Sequence, residues 1–222
     1  MMRSTPTLPP LRADENPIAK RRRAKRGEGD LLREEILEAA EQLLIETGDD
    51  EAVSIRAVAD RVGCTPPAIY MHFIDKSELM FDVCARHFLL MSELVIEAGA
   101  AETDPLKVVA AETRAFIRFG LQNPEHYRIL FMGKPIVTPE QWNDITLVPG
   151  VAGFTRLISR CQECIDTGVV RVRDAHLMAV GIWAFAHGIV SLMIAKPNFS
   201  WPDVDLTVEH LITTHMAGLR CA

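Results

Sequence analysis

The most concentrated chemical feature of the 222-residue chain is a run of cations at Lys20–Arg26, in which six of the seven residues are Lys or Arg. Residues 1–29 carry eight basic and three acidic residues, whereas residues 30–80 carry four basic and twelve acidic ones. A basic arm beside an acidic segment predicts a polyanionic partner, although a solubilising tail has the same composition. Because residues 1–29 also hold four prolines and no apolar periodicity, we expect a flexible arm.

A second feature is the CxxC spacing of Cys161 and Cys164, on a stretch with helical periodicity. A structural zinc site needs four ligands, and no second cysteine pair or ordered histidine pair accompanies these two. The sequence therefore predicts two half-buried helical thiols rather than a zinc or redox site. The odd number of cysteines, five, and an N-terminus without the apolar segment of a signal peptide favour reduced thiols and a cytoplasmic protein.

The other reactive side chains do not form a catalytic or metal-binding pattern. The sequence contains no nucleophile elbow, P-loop, zinc-protease motif or paired carboxylates. Four histidines lack the spacing for a two-histidine metal face and are expected to be plain helix residues: His87, His176, His210 and His215. The sequence thus predicts no enzymatic activity, no cofactor and no metal ion.

Helices must position these residues, because an apolar periodicity of 3.6 residues dominates the chain after Asp30. The pattern predicts a helix over 31–47, ended by Gly48. Ser54 has the position of an N-cap for a short helix that Gly63 stops. Thr65 is a second expected N-cap, followed by Pro66 at the first helical position. The spacing Asp75-Lys-Ser-Glu78 predicts a capping box that opens a longer helix to about Glu97.

Residues 54–73 therefore read as two short helices joined by a tight glycine turn, which is helix-turn-helix organisation. The major groove of DNA admits one α-helix, and the outward side chains of the second helix read the base edges there. The stretch from Ile36 to Leu79 resembles the DNA-binding domain of the TetR family of bacterial transcriptional regulators. The residues that carry the resemblance are Ile36-Leu-x-Ala-Ala-x-x-Leu-Leu44, Ser54-Ile-Arg-x-Val-Ala-x-x-Val-Gly63 and Ala68-Ile-Tyr-x-His-Phe-x-x-Lys-x-x-Leu79.

The resemblance implies roles for matching residues. Tyr70, His72 and Lys76 would contact phosphates or adjacent base edges, and Ser54 and Arg56 would grip the backbone or a nearby base. Apolar Met71 would contact a thymine methyl, since it has no hydrogen to donate to a base. The basic arm would compensate for the acidic domain by tracking the backbone or entering the minor groove. The candidate DNA contacts are Arg21, Arg22, Arg23, Arg26, Ser54, Arg56, Thr65, Pro67, Ala68, Tyr70, Met71, His72 and Lys76.

The remainder of the chain is also predicted to be helical, over about 104–122, 124–132, 140–167, 173–195 and 203–219, and no alternating run indicates a strand. Residues 177–195 carry no charge and reach the length of a membrane span. The run contains Gly181, His187, Gly188 and Ser191 and lacks an aromatic belt. It therefore favours a buried helix at a core and a subunit interface, and no membrane partner is expected.

In this region Trp183-x-x-x-His187-Gly188 resembles the signature of a TetR subgroup named for its Trp-His-Gly, or WHG, C-terminal domain. The resemblance implies a ligand that moves the fourth helix and draws the two reading helices out of register. With no acidic or basic cluster apparent, we expect a small hydrophobic ligand, lipid-like or aromatic. The candidate ligand-binding residues are Phe116, Phe119, His126, Tyr127, Phe131, Phe154, Trp183 and His187.

Together these features predict an all-α protein with three regions: an arm (1–29), a three-helix DNA-binding domain (30–80) and a helical ligand-binding and dimerisation domain (81–222). The resemblance implies a homodimer through residues 173–195 and 203–219 that binds a palindromic double-stranded operator as a repressor until a ligand releases it. The alternative is a helix-turn-helix regulator without a small-molecule ligand, which acts with a protein partner or as an activator.

Overall fold

The computed structural model describes residues 29–132 and 149–221. The arginines of the basic arm and residues 140–148 of a predicted helix lie outside these ranges. The described chain forms nine α-helices: α1 (Gly29–Thr47), α2 (Ile55–Val62), α3 (Pro66–Tyr70), α4 (Lys76–Gly99), α5 (Pro105–Gln122), α6 (Pro124–Phe131), α7 (Pro149–Asp166), α8 (Ala175–Ala195) and α9 (Val204–Leu219). Within those ranges the only β-type pairing is one bridge between Val170 and Arg220. The predicted all-α fold class is confirmed.

Local chemistry explains where the N-terminal helices begin and end. Ser54 Oγ accepts a hydrogen bond from the Ala57 N–H at 3.1 Å and caps α2. Asp75 accepts one from the Glu78 N–H at 2.9 Å and caps α4. Gly63 ends α2 with φ +75°, a left-handed conformation that a residue without Cβ adopts at little cost. These caps stand where the sequence predicted them, and α4 continues two residues beyond its predicted end.

The buried side chains form two clusters. The N-terminal core joins α1, α2, α3 and the start of α4, and its members include Ile36, Ala40, Leu44, Val58, Ala59, Ile69, Phe73, Leu79, Met80 and Val83. The C-terminal core joins α5 to α9 and includes Val109, Ile117, Tyr127, Ala179, Ile182, Val190 and Ile212. α4 runs from the N-terminal core onto α5 and α7, while Ile129 of α6 packs back against the N-terminal core. Two helices therefore connect the two cores.

α8 is the helix of the described chain that is long and apolar enough to cross a membrane by length and composition. It packs instead against α5 and α7 and contributes nine buried residues to the C-terminal core. At Gly120 of α5 a Cβ would lie 2.6 Å from a Val190 methyl group, so the two helices approach closely. α8 is therefore part of the C-terminal core.

Cys161 and Cys164 are free thiols on α7, and both are fully buried in the C-terminal core rather than half-buried as predicted. Burial raises the pKa of Cys161 to about 12 and that of Cys164 to about 11. Two protonated thiols in an apolar core act as small hydrophobic groups. The helix periodicity predicted their shared face but not how completely that face is covered.

Candidate nucleic-acid interface and internal cavity

α2 and α3 bury one face each in the N-terminal core. Val58 and Ala59 of α2 and Ile69 of α3 are fully inaccessible to solvent, and Phe73 behind α3 is 1% exposed. Because these side chains point inward, the remaining faces of both short helices point away from the core. α2 thereby braces α3, which leaves the outer face of α3 free to enter a groove.

The outer face of α3 and its two flanking residues carry four of the nine predicted DNA contacts that the structure describes. Thr65, Pro67, Tyr70 and Met71 are exposed, and Met71 retains 83% of its accessible surface. The remaining predicted contacts in this part of the chain differ in exposure, since Ser54 and Arg56 are exposed while Ala68, His72 and Lys76 are partly buried. The Thr65 side chain makes no capping hydrogen bond, unlike the side chains that precede α2 and α4. Its hydroxyl therefore remains available to a partner.

The cations of the helix-turn-helix region are mostly engaged with the protein itself. Arg61 forms two hydrogen bonds with the Glu46 carboxylate, at 2.8 and 2.7 Å, and this contact lowers the pKa of Glu46. Arg33 pairs with Asp82 and lies over the Phe73 ring, and Lys76 donates to the Asp50 carbonyl. Arg56 is exposed and has no ion pair among the described residues. The folded acidic region therefore offers little free positive charge to DNA.

Ile74 is a surface residue that the sequence reasoning missed. It precedes the N-cap of α4, where an apolar residue usually packs back on the fourth residue of the helix, here Leu79. Ile74 is instead 83% exposed, whereas Leu79 is fully buried. Its backbone N–H is held by the Glu78 carboxylate at 2.5 Å. An exposed apolar side chain therefore lies three residues beyond Met71. The sequence signal for it was an apolar residue directly before the N-cap of α4.

A cavity of about 110 Å³ lies between α4, α5, α6, α7 and α8. Five of the sixteen residues that line it are aromatic: Phe88, Phe116, Phe131, Phe154 and Trp183. Pockets for drug-sized ligands occupy roughly 300–1,000 Å³, so this cavity must widen before it can enclose one. α4 contributes Phe88, Met91, Ser92 and Val95 to the wall.

The predicted ligand-binding residues divide into two groups of four. Phe116, Phe131, Phe154 and Trp183 line the cavity. The other four do not line it: Phe119, His126, Tyr127 and His187. Phe119 and Tyr127 are buried, and the Tyr127 hydroxyl lies 2.5 Å from His187 Nδ1. Burial lowers the pKa of His187 to about 4, so this histidine is neutral at physiological pH.

The cavity also contains a charged cluster, contrary to the expectation that none was present. Glu112 is buried and accepts a hydrogen bond from Arg156 at 2.7 Å, with Arg160 Nε 3.4 Å from the same oxygen. Glu112 and Arg156 both line the cavity. The sequence did not indicate the cluster, because α5 and α7 bring together residues that are far apart in the chain.

An apolar stripe lies exposed on α8. Leu177, Val180, Ala184 and Leu192 are open to solvent, and added Cβ atoms at Gly181 and Gly188 would meet no neighbour. On α9, Leu206 is 71% exposed. Leu211, by contrast, packs against the C-terminal core and is only partly exposed. The apolar surface therefore follows the helices predicted to form the subunit interface, while Leu211 is mainly a core contact.

Known protein families match both the helix-turn-helix region and the C-terminal helical region. Residues 36–83 match the family described as "Bacterial regulatory proteins, tetR family", and residues 109–215 match "Tetracyclin repressor-like, C-terminal domain". The chain is 28% identical over 199 residues to the HTH-type transcriptional activator FasR of Mycolicibacterium smegmatis, which covers 89% of this chain and 84% of FasR.

Solved structures share the fold over nearly the whole chain. A protein of unknown function from Rhodococcus sp. RHA1 superposes with a TM-score of 0.72 and 24% identity, over 86% of this chain and 96% of that chain. The fatty acid degradation regulator FadR from Bacillus halodurans gives 0.66 and 16%, over 84% and 99%. TetR-family regulators are non-enzymatic DNA-binding proteins that typically function as dimers. With a tetR-type helix-turn-helix followed by a tetracyclin repressor-like C-terminal domain, the chain belongs to the TetR family of DNA-binding transcriptional regulators.

Proposed function

We propose that this protein is a homodimeric, ligand-responsive regulator that binds a palindromic operator and is released from it by a small hydrophobic ligand. The observation that carries the proposal is the course of α4. Leu79, Met80 and Val83 of this helix belong to the N-terminal core, and Phe88 and Met91 line the cavity. A ligand that widens the cavity therefore pushes on the same helix that supports α2 and α3.

We divide the chain into three regions with separate functions. We assign residues 1–29 to a basic arm, residues 30–80 to DNA binding and residues 81–222 to ligand binding and dimerisation. The boundary at residue 80 falls inside α4, which is continuous from Lys76 to Gly99. At this boundary α4 passes from the N-terminal core to the cavity without a flexible linker. A continuous helix of this kind could carry a movement from the cavity to α2 and α3.

For DNA binding, α3 is the reading helix. The exposure of Thr65, Pro67, Tyr70 and Met71 supports base-edge contacts there, and Arg56, Lys76 and the arm would neutralise phosphates. Lys76 donates a hydrogen bond to the Asp50 carbonyl, and this bond would hold its ammonium group in place for contact with a phosphate. Ile74 extends the apolar surface of Met71 toward a thymine methyl.

Dimerisation through α8 and α9 would cover the exposed stripe that includes Leu177, Leu192 and Leu206. An apolar surface of this kind on a soluble protein marks an association site. A two-fold axis between these helices would present two copies of α3 to the two half-sites of a palindrome.

The ligand is proposed to be lipid-like or aromatic, because aromatic and aliphatic side chains make up most of the residues that line the cavity. The description of the related FadR as a fatty acid degradation regulator supports the lipid-like choice. Glu112 and Arg156 would supply the polar contacts that orient the ligand. To move the protein from 99% DNA-competent to 1%, the ligand must prefer the released conformation by about 5.5 kcal/mol.

The narrower placement in the WHG subgroup rests on Trp183, His187 and Gly188. Trp183 lies on the cavity wall, and its ring centroid is 4.8 Å from that of His187. The Trp and His of the signature are therefore neighbours in the structure. We also propose a cytoplasmic protein, in keeping with reduced free thiols and a DNA partner.

The decisive experiment compares reading-helix variants on a panel of operator sequences. Thr65→Ala and Met71→Ala should change the preference among operator variants, with about 1–3 kcal/mol lost where a base contact disappears. Lys76→Ala should weaken binding to all sequences equally, since a phosphate contact carries no base information. A change of sequence preference in Lys76→Ala alone would contradict the proposed docking.

A second candidate function is transcriptional activation, which the name of the 28% identical activator FasR favours. The two functions predict opposite responses in an in vitro transcription assay with purified RNA polymerase and the protein's own upstream DNA. A repressor lowers transcript yield when it occupies the operator, whereas an activator raises it. Adding a hydrophobic extract should reverse the effect in either case, and an effect independent of the extract would instead support a regulator without a small-molecule ligand.

A further inference from the structure

Three side chains with metal-ligating atoms meet where the N-terminal core adjoins α6. They are Glu41 on α1, His87 on α4 and His126 in the first turn of α6. Glu41 Oε1 lies 3.3 Å from His87 Nε2 and 3.5 Å from His126 Nε2. One donor atom from each residue lies within 4.8 Å of the other two. The cluster is separate from the cavity, whose lining includes none of the three.

The distances in the cluster suit shared coordination better than direct hydrogen bonding. An N–H···O hydrogen bond joins atoms 2.7–3.2 Å apart in most proteins. Two ligands of a tetrahedral Zn²⁺ ion, each about 2.0–2.1 Å from the metal, lie about 3.4 Å from each other. The two nitrogen–oxygen distances fall on either side of that value.

The environment of His87 gives an independent reason to expect a ligand. This residue is only 4% exposed, and its Nε2 forms no hydrogen bond within the described part of the chain although it faces Glu41. Buried polar atoms of native proteins are nearly always satisfied, so an orphaned nitrogen indicates a missing partner. His126 is partly exposed, with 23% of its side chain accessible, which leaves a route from solvent to the cluster.

Glu41 supplies the carboxylate of the cluster, and only 10% of its side chain is exposed. A carboxylate with two imidazole nitrogens is a donor set used by zinc and other borderline divalent metals, and it leaves a fourth position for water.

We propose that Glu41, His87 and His126 form a binding site for one divalent transition-metal ion, with Zn²⁺ as the best match to the donors and their spacing. The ion would tie α1 of the DNA-binding region to α6 and to the part of α4 that follows this region, and Ile129 of α6 already packs against the N-terminal core. It would therefore restrict the movement of the helix-turn-helix relative to α6. This site goes beyond the proposed operator and ligand binding and does not depend on either.

The test is metal titration of the full-length protein after treatment with a chelator. Zn²⁺ binding is measured by competition with a chromophoric chelator, and Co²⁺ is added separately as a spectroscopic probe. We expect one ion per chain, and a visible cobalt band without the sulfur-to-cobalt charge-transfer band that cysteine ligands produce. Mg²⁺ should not compete, because it prefers oxygen ligands in octahedral geometry.

Variants locate the site. His126→Ala and Glu41→Gln should each lower Zn²⁺ affinity by more than about 100-fold, the upper range for changes in residues that only support a ligand. His210→Ala is the matched control, because His210 is an exposed histidine on α9 away from the cluster. Circular dichroism checks folding, and either cluster variant suffices if the other fails to fold. Absence of binding by the wild type, a sulfur band, undiminished binding by a folded cluster variant or equal loss in the control would overturn the proposal.

Discussion

Replacing Arg21, Arg22, Arg23 and Arg26 by Ala should remove most of the salt dependence of operator binding. The structure sets the scale, because two cations of residues 30–80 have no ion pair in the described chain: Arg56, which is exposed, and Lys76, which donates to the neutral Asp50 carbonyl. Each phosphate contact contributes about −0.9 to the slope of log K against log salt. One contact each from Arg56 and Lys76 and three from the arm in each subunit give a dimer a slope of about −9, and loss of the arm leaves about −3.6.

The difference is large enough to measure by fluorescence anisotropy with labelled operator DNA. Between 50 and 200 mM salt, the wild-type affinity should fall by about 10⁵-fold and the arm variant's affinity by about 10²-fold. Arg56→Ala should flatten the wild-type slope by about 0.9 for each subunit. Arg61→Ala serves as the matched control, because its guanidinium is already held by Glu46 and should change the slope little. An unchanged slope in the arm variant, or equal effects of Arg56→Ala and Arg61→Ala, would refute the reasoning.

Four further outcomes are expected. Trp183→Ala should change the affinity for an apolar fluorescent probe such as anilinonaphthalene sulfonate while ligand-free DNA binding persists, since Trp183 is 47% exposed; unfolding would instead identify a core residue. Leu192→Glu and Leu206→Glu should each yield monomers in sedimentation and weaken operator binding, because both leucines are exposed on the proposed interface, whereas Leu211 packs against the C-terminal core. Stable dimers in both variants would exclude this interface. The pKa of His187 falls from 6.5 to about 4 on folding, so its contribution to stability is complete above pH 6.5 and declines by up to about 3 kcal/mol as the pH drops toward 4; chemical denaturation of His187→Gln should lack this decline. Gly120→Ala should lower the free energy of unfolding by about 1–3 kcal/mol, because its methyl group would overlap Val190 and Tyr127, and an unchanged midpoint in urea would show that α5 and α8 can separate.

The helix-turn-helix was predictable because its determinants are local. The caps at Ser54 and Asp75, the stop at Gly63 and the inward positions of Ile69 and Phe73 all depend on residues within a turn or two. For the same reason the helices of the C-terminal region were placed nearly correctly wherever the structure describes them. Hydrogen bonding to the nearest free amide and burial of one helix face operate at short range and leave a periodic trace in the sequence.

The sequence predicted the lining of the internal cavity only in part. A preference for aromatic and apolar positions identified Phe116, Phe131, Phe154 and Trp183, but it did not distinguish them from Phe119 and Tyr127, which are buried and do not line the cavity. Helical periodicity states which face of a helix is apolar. It does not state which part of that face meets a neighbouring side chain and which part meets a void.

The sequence by itself determined the all-α class, the helix-turn-helix and the contrast in charge between residues 1–29 and residues 30–80. Only the tertiary structure decided that Lys76, Arg33 and Arg61 are occupied, that Glu112 meets Arg156, and that Glu41 meets His87 and His126. These contacts join residues on different helices, and their existence depends on how the helices pack against one another. Packing arises from the shapes of whole apolar faces, which no short stretch of sequence encodes.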